Sequence, residues 1–363
     1  MAINVASAAQ AVGSSARSKR LVAGNPSPFR RSWHRLARRA IQGKAAGLTR
    51  ARPDRLPSLA SPSPKEPILP RDPEAAVRAL PFWRGAVALQ RLHGGLSNVS
   101  FRASDASGDY VARVGDDFPF HHVSRAREAA ASRWAGEAGL GPKIVHGQDG
   151  VLVAAFLRGK TFAAEDVRAR LDEIAALLKR AHAEMRARAR GDAAFFWVFH
   201  VIRGYADTLR ADGHAILPQL PRHVAIAAEL EAAQVALPIV FGHHDLLPAN
   251  FIGDADRIWL IDWEYAGFGT PMFDLANLAD NAKFGPEEER RLLRLYFGAE
   301  PAPELARSFA AMKAASALRE ALWAYVSLSR LAAPGFDYAA YGNTRLEDFE
   351  SAYAAYQREF RPA

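Results

Sequence analysis

The sequence has no cysteine among its 363 residues. That absence excludes disulfide bonds, zinc–thiolate sites, iron–sulfur clusters and a cysteine nucleophile. The sequence also lacks any run of about 18 or more apolar residues, the length that a membrane-spanning helix requires, and therefore predicts no transmembrane segment. Its hydrophobic content of 49% is ordinary for a globular protein with a sizeable core. Its length suits two domains, or one large domain with an appendage.

Acidic residues are scarce in the first part of the chain. Residues 1–72 contain 14 Lys and Arg but only 3 Asp and Glu, whereas the remaining residues contain 33 and 36. The net charge of +8 therefore comes from the N-terminal segment, and the body of the chain is slightly acidic. A body without a basic surface of its own is not expected to bind nucleic acid.

The composition of residues 1–72 also differs from that of the rest. They are rich in Ser, Ala and Arg and lead into a Pro/Ser-rich stretch, LPSLASPSPKEPILPRDP. We interpret them as a disordered extension; a transit peptide and an arm for a membrane surface or nucleic acid are the alternatives. A disordered extension is compatible with a cytoplasmic protein, whereas a transit peptide would make the protein organellar.

From residue 73 onward the pattern predicts an α+β fold with two lobes. VSFRAS and YVARVG flank the turn cluster DASGD and predict a β-hairpin, followed by an Ala-rich helix and the apolar strand GVLVAAFLRG. These elements make residues 73–157 a small, β-rich lobe. Apolar residues at helical spacing dominate residues 165–235 and the last third of the chain. Residues 158–363 are therefore predicted to form a larger, mostly helical lobe containing a short strand pair joined by GDAD.

The polar residues that suggest chemistry lie between positions 243 and 264. HHDLLPAN contains Asp245 and Asn250. In RIWLIDWEY, a predicted apolar strand leads directly to Asp262. Either an Asp or an Asn alone is more often a helix cap or a turn residue. Together they form a cluster of hard oxygen ligands, which suits Mg²⁺ bound jointly with phosphate. One acid then remains to accept the proton of a hydroxyl, the division of labour of phosphoryl transfer.

The combination of HHDLLPAN with IDWEYAGFGTPMFDLANL resembles the choline/ethanolamine kinase family, a branch of the aminoglycoside phosphotransferase and protein-kinase-like superfamily. The resemblance spans about residues 88–358. It implies a protein-kinase-like fold, in which a β-rich N-lobe binds the nucleotide and a larger helical C-lobe carries the catalytic and substrate sites. It also implies ATP and Mg²⁺ as cofactors.

The resemblance assigns roles to individual residues of this segment. Asp245 would be the catalytic base, and Asn250 and Asp262 would hold Mg²⁺. Glu264 would lie near the metal or support the loop. Asp274, in FDLANL, would tie the following segment back to the catalytic loop.

The small lobe contains a matching set of nucleotide-binding candidates. Four residues of LHGGLSNVSF resemble the family's phosphate-covering loop: Gly94, Gly95, Ser97 and Asn98. Arg113 stands where kinases carry the strand cation that contacts the phosphates, and Glu128 where the helix glutamate pairs with it. Read without the resemblance, Arg113 is an exposed strand residue and Glu128 belongs to a solvated helix face.

The acceptor pocket is predicted from aromatic residues. An ammonium group is best held by aromatic faces and a carboxylate, and the resemblance puts Tyr265, Trp323 and Tyr341 in the choline pocket. Glu320 occupies a position where that family has a second Trp, and Asn281 aligns near a pocket carboxylate. The carboxylate is therefore expected to have moved to Glu320, although Glu320 could equally be a surface residue of its helix.

The leading hypothesis is an ATP- and Mg²⁺-dependent kinase that phosphorylates the hydroxyl of a small amino alcohol, choline or ethanolamine first. A second hypothesis keeps the chemistry and changes the acceptor to an aminoglycoside, thiamine or a sugar. A third is a nucleotide-binding scaffold without catalytic activity, which the intact set Asp245, Asn250 and Asp262 argues against. The expected partner is a small-molecule substrate, and the oligomeric state is left open.

Overall fold

The computed structural model describes residues 72–92, 98–148, 150–331 and 336–360. All of these belong to one structural unit. The predicted N-terminal extension, apart from its last residue, lies outside the described residues, as do Gly94, Gly95 and Ser97 of the predicted phosphate loop. Within the described part of the chain, no helix is both long enough and apolar enough to cross a membrane.

The N-terminal region is built on five strands: β1 (Ala88–Leu92), β2 (Val99–Asp105), β3 (Gly108–Val114), β4 (Ile144–Gln148) and β5 (Val151–Ala155). They form one antiparallel sheet in the order β1-β2-β3-β5-β4. The predicted hairpin is confirmed, because Val99 lies opposite Val114 and Asp105 lies opposite Gly108. Alternate side chains of a strand point to the same face, so Phe101 and Ala103 of β2 are both buried in the core of this region.

Two helices accompany the sheet. The short helix α1 (Pro73–Arg78) begins at Asp72, whose side chain accepts hydrogen bonds from the first backbone N–H groups. The predicted Ala-rich helix is α2 (Arg125–Glu137). The chain leaves α2 through Gly139, whose φ of +64° is one that glycine adopts without strain. Helix α2 therefore stops where the sequence places its glycine.

The C-terminal region is mostly helical, as predicted. Its described helices are α3 (Ala164–Ala169), α4 (Leu171–Arg188), α5 (Val198–Ala211), α6 (Leu220–Ala232), α7 (Pro271–Asn281), α8 (Pro286–Phe297), α9 (Pro303–Arg330) and α10 (Tyr338–Phe360). Helix α9 is the central one, because it packs against α5, α6, α7 and α10. Its many alanines allow these neighbours to approach closely, and most of its residues between Ser308 and Ser327 are buried.

Six short strands connect these helices: β6 (Lys160–Thr161), β7 (Ala194–Phe195), β8 (Val240–Gly242), β9 (Phe251–Gly253), β10 (Ile258–Leu260) and β11 (Gly267–Gly269). They form two three-stranded sheets, β10-β9-β6 and β7-β11-β8. The predicted strand pair is confirmed as the antiparallel pair β9–β10, with Ile258 opposite Gly253. The predicted lobe boundary at residue 157 stays a prediction, although β6, which follows it, pairs with β9.

The strand pairings bring two loops together. Gly242 at the end of β8 lies opposite Gly267 of β11. In addition, the backbone N–H of Ile261 donates to the carbonyl oxygen of Asn250 at 3.0 Å. Residues 243–250 and 261–266 therefore run side by side, so the polar residues that the sequence separates by a hairpin share one site.

Candidate active site

A buried carboxylate holds the loop after β8. Asp274, in the first turn of α7, accepts the backbone N–H of His243 on Oδ2 at 2.8 Å and that of His244 on Oδ1 at 2.7 Å. Asp274 is 0% exposed, so the N-terminal end of α7 adds a favourable dipole to a charge that has little contact with water. The backbone just before Asp245 is thus fixed by both oxygens of one side chain.

His182 of α4 supports this carboxylate. Its Nε2 lies 2.8 Å from Oδ2 of Asp274, and its Nδ1 lies 2.7 Å from the hydroxyl of Tyr296. Burial alone would raise the pKa of Asp274, but the hydrogen bond with His182 and the neighbouring imidazoles hold that pKa well below its ordinary value. Asp274 therefore stays ionised and keeps both N–H groups of the loop bound.

Asp245 and Asn250 lie at the two ends of the loop. The amide Nδ2 of Asn250 donates to the backbone oxygen of Asp245 at 2.8 Å and lies 3.5 Å from Oδ2 of its carboxylate. His243 joins this loop to the second one, because its Nε2 lies 2.9 Å from the carbonyl oxygen of Ile261. Asp245 and Asn250 are both buried. These contacts fix the two ends of the loop relative to each other and to the second loop.

Asp262 and the helix glutamate share one arginine. Arg113 of β3 contacts Glu128 of α2 through Nη1 at 3.1 Å and Asp262 through Nη2 at 2.7 Å. Glu128 is 3% exposed, so the reading of this residue as part of a solvated helix face is wrong. Arg113 is not a freely exposed strand residue either, since its side chain is 18% exposed and bound at both ends. Asp262 has a φ of +67°, a strained value for a residue other than glycine.

Arg125 is a second cation of the site, which the sequence analysis missed. Its Nη1 lies 2.6 Å from Glu128 and 2.9 Å from Glu264, so it bridges α2 and the loop after β10. The amide of Asn98 lies 3.5 Å from the same carboxylate oxygen of Glu264. The sequence did contain a signal for Arg125: it lies three positions before Glu128, which puts both residues on the same helix face.

The carboxylates of the site are only partly neutralised. Among the described residues, the site joins three arginines to five acids: Arg113, Arg125, Arg319, Glu128, Asp245, Asp262, Glu264 and Glu320. Burial and the charge of Asp262 raise the pKa of Glu264 to about 7, although Arg125 acts in the opposite direction. Burial likewise raises the pKa of Asp245, and Glu320, Asp262 and Glu264 add to that rise against the effect of Arg319. With all five acids ionised the site has two more negative than positive charges, which suits one divalent cation.

The donor set of the two loops can be compared with what Mg²⁺ requires. In the described part of the chain, no group of three His, Asp or Glu side chains could hold a metal ion by itself. Asn250 already donates through its amide nitrogen, so its amide oxygen is the atom that can bind a metal. Mg²⁺ commonly takes one or two carboxylates from the protein and the rest of its ligands from phosphate and water. Asn250 and Asp262 therefore fit Mg²⁺, and Glu264 is the adjoining carboxylate.

A cavity of about 580 Å³ adjoins these charges in the N-terminal region. Asn98, Arg113 and Glu128, the described members of the predicted nucleotide-binding set, all line it. Arg125 and Arg133 contribute two further guanidinium groups to its wall. Asp116, Asp117 and Glu128 put three acids on the same wall, so its guanidinium groups can bind phosphate oxygens but the wall as a whole has no excess of positive charge.

Four of the five predicted acceptor residues contact one another beside Asp245: Tyr265, Glu320, Trp323 and Tyr341. The indole Nε1 of Trp323 donates to the hydroxyl of Tyr265 at 3.0 Å, and the hydroxyl of Tyr341 donates to Glu320 Oε1 at 2.9 Å. Rings of Trp323 and Tyr341 contact edge to face at 6.4 Å. Glu320 is 7% exposed, which rules out the alternative that it is a surface residue. Asn281 lies apart from the aromatic group, with its amide 3.4 Å from the backbone oxygen of Leu246.

Arg319 is the residue of this pocket that sequence reasoning overlooked. It is 1% exposed, and its Nη1 lies 2.7 Å from Glu320 and 3.9 Å from Asp245. Its guanidinium carbon stands 4.7 Å from the centre of the Tyr265 ring. The signal was an Arg-Glu pair inside the otherwise apolar stretch AASALREALWAYV, since charges on a buried helix require partners.

Known proteins resemble this chain both in sequence and in fold. The family model described as "Phosphotransferase enzyme family" matches residues 88–309. A probable ethanolamine kinase of Arabidopsis thaliana is 24% identical over 302 residues, which cover 72% of this chain and 79% of that protein. Protein LicA of Haemophilus influenzae is 24% identical over 213 residues, and the match spans only 61% of its length.

Two solved structures have a similar fold. The crystal structure of a choline/ethanolamine kinase family protein from Mesorhizobium loti has a TM-score of 0.61 and 29% sequence identity, covering 78% of this chain and 97% of that one. A LicA structure in complex with AMP has a TM-score of 0.62 at 21% identity, covering 78% and 96%. The expected resemblance to choline and ethanolamine kinases is confirmed, and so is the expected protein-kinase-like fold with a β-rich N-lobe and a helical C-lobe.

Proposed function

Because the chain belongs to the phosphotransferase enzyme family, we propose that it transfers the γ-phosphoryl group of ATP to the hydroxyl of a small amino alcohol, choline or ethanolamine first. The relatives named above are small-molecule kinases whose names include ethanolamine kinase, and this supports the class of acceptor. The observation that carries the proposal is the position of Asp245. This carboxylate contacts Asn250 on one side and approaches Arg319 of the aromatic pocket, 3.9 Å away, on the other.

Asp245 would act on the acceptor hydroxyl. It accepts the hydroxyl proton while the oxygen forms a bond to the γ-phosphorus, and the bond from that phosphorus to the β–γ bridging oxygen breaks to release ADP. The carboxylate has little freedom to turn away, because the backbone before it is fixed by Asp274 and the backbone at Asp245 itself by Asn250. A base held in one orientation lowers the barrier mainly through positioning.

Asn250 and Asp262 would hold Mg²⁺, with Glu264 beside them. Bound there, the cation would neutralise charge that develops on the phosphoryl oxygens. The surplus of acids over arginines in the site supports this assignment. Arg125 binds the carboxylate of Glu264, which supports a role of Glu264 in positioning the loop.

Arg113 and Asn98 would contact the nucleotide phosphates, and Glu128 would orient Arg113. The cavity that all three line supports this role, and so does the AMP bound in a structure of similar fold. Arg113 can bind phosphate oxygens instead of Asp262. A guanidinium group binds phosphate and carboxylate oxygens with the same fork geometry.

The test is ADP release by the purified chain with Mg²⁺ and ATP, with choline, ethanolamine, an aminoglycoside or thiamine as acceptor. Turnover is expected with an amino alcohol. Asp245→Asn should lower kcat by about 100-fold or more, since it keeps the size of the side chain and removes the base.

The matched control is Asp212→Asn. Asp212 also pairs with an arginine of α9, Arg330, but lies outside the site, so this variant should retain most of the activity. Turnover of an aminoglycoside or thiamine alone would reassign the acceptor. Full activity of Asp245→Asn would refute the assignment of the base.

A further inference from the structure

The aromatic pocket already contains a cation of the chain itself. Arg319 lies over the ring of Tyr265 at 4.7 Å, and its guanidinium Nε and Nη2 have no hydrogen-bond partner among the described residues. A guanidinium group can instead face an aromatic ring, whose electron-rich face attracts positive charge. The face of Tyr265 that would attract a substrate ammonium is therefore covered by protein.

The other rings of the pocket are also engaged. His121 is stacked on Trp323 at 5.4 Å, with an angle of 28° between the ring planes. Tyr341 contacts Trp323 in a T-shaped arrangement at 6.4 Å and Phe336 at 5.5 Å. The side-chain N–H of Trp323 already donates a hydrogen bond to the hydroxyl of Tyr265. A cage that surrounds a bulky, fully methylated ammonium needs several free ring faces. In this pocket Arg319 covers a face of Tyr265 and His121 covers a face of Trp323.

Carboxylates, in contrast, are plentiful in the pocket. Glu320 receives one hydrogen bond on each oxygen, from Tyr341 on Oε1 and from Arg319 on Oε2. Each carboxylate oxygen can accept two, so Glu320 retains capacity for a further donor. Asp245 and Glu320 together carry two negative charges against the single positive charge of Arg319. The pocket therefore favours a cation that can donate hydrogen bonds.

We propose that Arg319 is a specificity-determining residue, which makes the acceptor site select a primary ammonium group and reject a quaternary one. This inference rests on the proposed function and narrows its acceptor to ethanolamine-like alcohols. A primary ammonium offers three N–H donors to carboxylates and is small enough to fit beside the guanidinium. A trimethylammonium group offers no donor and depends on the ring face that Arg319 occupies.

The experiment compares four acceptors that differ only in N-methylation: ethanolamine, its N-methyl and N,N-dimethyl derivatives, and choline. The full chain is assayed by ADP release with Mg²⁺ and ATP. We expect kcat/KM to fall along the series, with ethanolamine exceeding choline by about tenfold or more, because each methyl group removes a charge-assisted hydrogen bond. Equal values, or a preference for choline, would overturn the inference and leave the proposed function intact.

The variant Arg319→Met frees the Tyr265 face. It should shrink the preference for ethanolamine to about threefold or less, chiefly through better use of choline. Arg330→Met is the matched control, since Arg330 lies on the same helix and pairs with Asp212 away from the pocket. An unchanged preference in a folded, active Arg319→Met variant would contradict the role of Arg319.

Removing Arg319 leaves Glu320 without its cation, so a second measurement uses the wild-type chain alone. Ethylammonium should inhibit ADP release competitively with ethanolamine, and tetramethylammonium at the same concentration should inhibit at least about tenfold less. Equal inhibition by the two ions would overturn the inference. Absence of turnover with all four alcohols would overturn both the inference and the proposed function, an outcome distinct from reversed selectivity.

Discussion

At the scale of single residues, Arg113 shows how one side chain can link three parts of the site. It extends from β3, contacts Glu128 of α2 with one terminal nitrogen and contacts Asp262 of the second loop with the other. Only a forked cation can do this, because a lysine presents a single ammonium group. The distance between the sheet and the loop that contains Asp262 therefore depends on the shape of this residue as well as its charge.

Arg113→Lys should consequently raise the KM for ATP by about tenfold, since a lysine can bind one carboxylate or the phosphates but cannot span both acids. The matched control is Arg102→Lys on the neighbouring strand β2, where Arg102 pairs with Asp109 at 3.1 Å near the surface. Steady-state kinetics at varied ATP concentration measures the effect. Equal KM values for Arg113→Lys and the control would show that the fork is not required.

At this scale the sequence indicated proximity where two residues belong to the same motif, and their roles stay predictions. Asp245 and Asn250 were expected to act together, and the structure joins them by a hydrogen bond. For partners on different elements it depended on the resemblance, which paired Arg113 with Glu128, and it missed Arg319. The burial of Glu320, like the contact of Arg319 with Tyr265, depends on how α9 packs against the loop after β10, and no local pattern encodes that packing.

At the scale of elements, the loop after β8 is controlled by the helices behind it. Helix α7 supplies Asp274, and α4 supplies His182, which binds that carboxylate. Gly242 makes the close approach possible, because a Cβ atom there would lie 2.5 Å from Nε2 of His244 and 2.9 Å from Oδ2 of Asp274. The last residue of β8 therefore has to lack a side chain.

Gly242→Ala should destabilise the protein by about 1–3 kcal/mol, because the added methyl group must displace the imidazole or the carboxylate. Gly204→Ala is the control, since a Cβ at this position of α5 would find its nearest neighbour at an ordinary 3.6 Å. That variant should be as stable as the wild type or more stable by about 0.5–1 kcal/mol, because alanine favours helix. Urea unfolding compares the two variants. Equal free energies of unfolding would mean that the loop can move to accept the methyl group without loss of stability.

The sequence predicted the larger elements because their patterns are long or well marked. The hairpin of β2 and β3 has a turn cluster between alternating strands, and α4 has apolar residues at helical spacing over 18 residues. Strands β7 and β11, of two and three residues, are too short to show any period. They exist because their neighbours offer backbone partners, which only the folded chain provides.

At the scale of the whole molecule, buried histidines link stability to pH. Burial lowers the pKa of His121, His243 and His244, in the last case to about 4. The hydrogen bond of His244 Nδ1 to the carbonyl oxygen of Tyr265 fixes the proton on Nδ1, and Nε2 has no partner among the described residues. A second proton on that ring would therefore be buried without an acceptor.

The fold should lose stability as the pH falls below the ordinary histidine pKa of about 6.5, because these histidines then bind protons in the unfolded chain but not in the folded chain. For His244 the loss proceeds between about 6.5 and about 4, at roughly 1.4 kcal/mol per pH unit. Above pH 6.5 its contribution is fully present. His244→Asn, which retains a donor for Tyr265, should lose about 1 kcal/mol less than the wild type between pH 7.5 and 5.5.

Urea unfolding at the two pH values measures this difference, and His200→Asn, which replaces an exposed histidine of α5, serves as the control. The control should follow the wild-type dependence on pH. If His244→Asn did the same, the buried imidazole would not be a source of acid lability.

The attachment of the loop after β8 to Asp274 has a consequence for hydrogen exchange. The amide hydrogens of His243 and His244 are both bound by a carboxylate that is 0% exposed, and that carboxylate is bound in turn by His182. A small fluctuation of the loop cannot bring these amides to water, because α7 would have to leave its place in the core. Their exchange with deuterium should therefore require opening of the whole helical lobe, so residues beside the proposed catalytic base would exchange among the slowest of the chain.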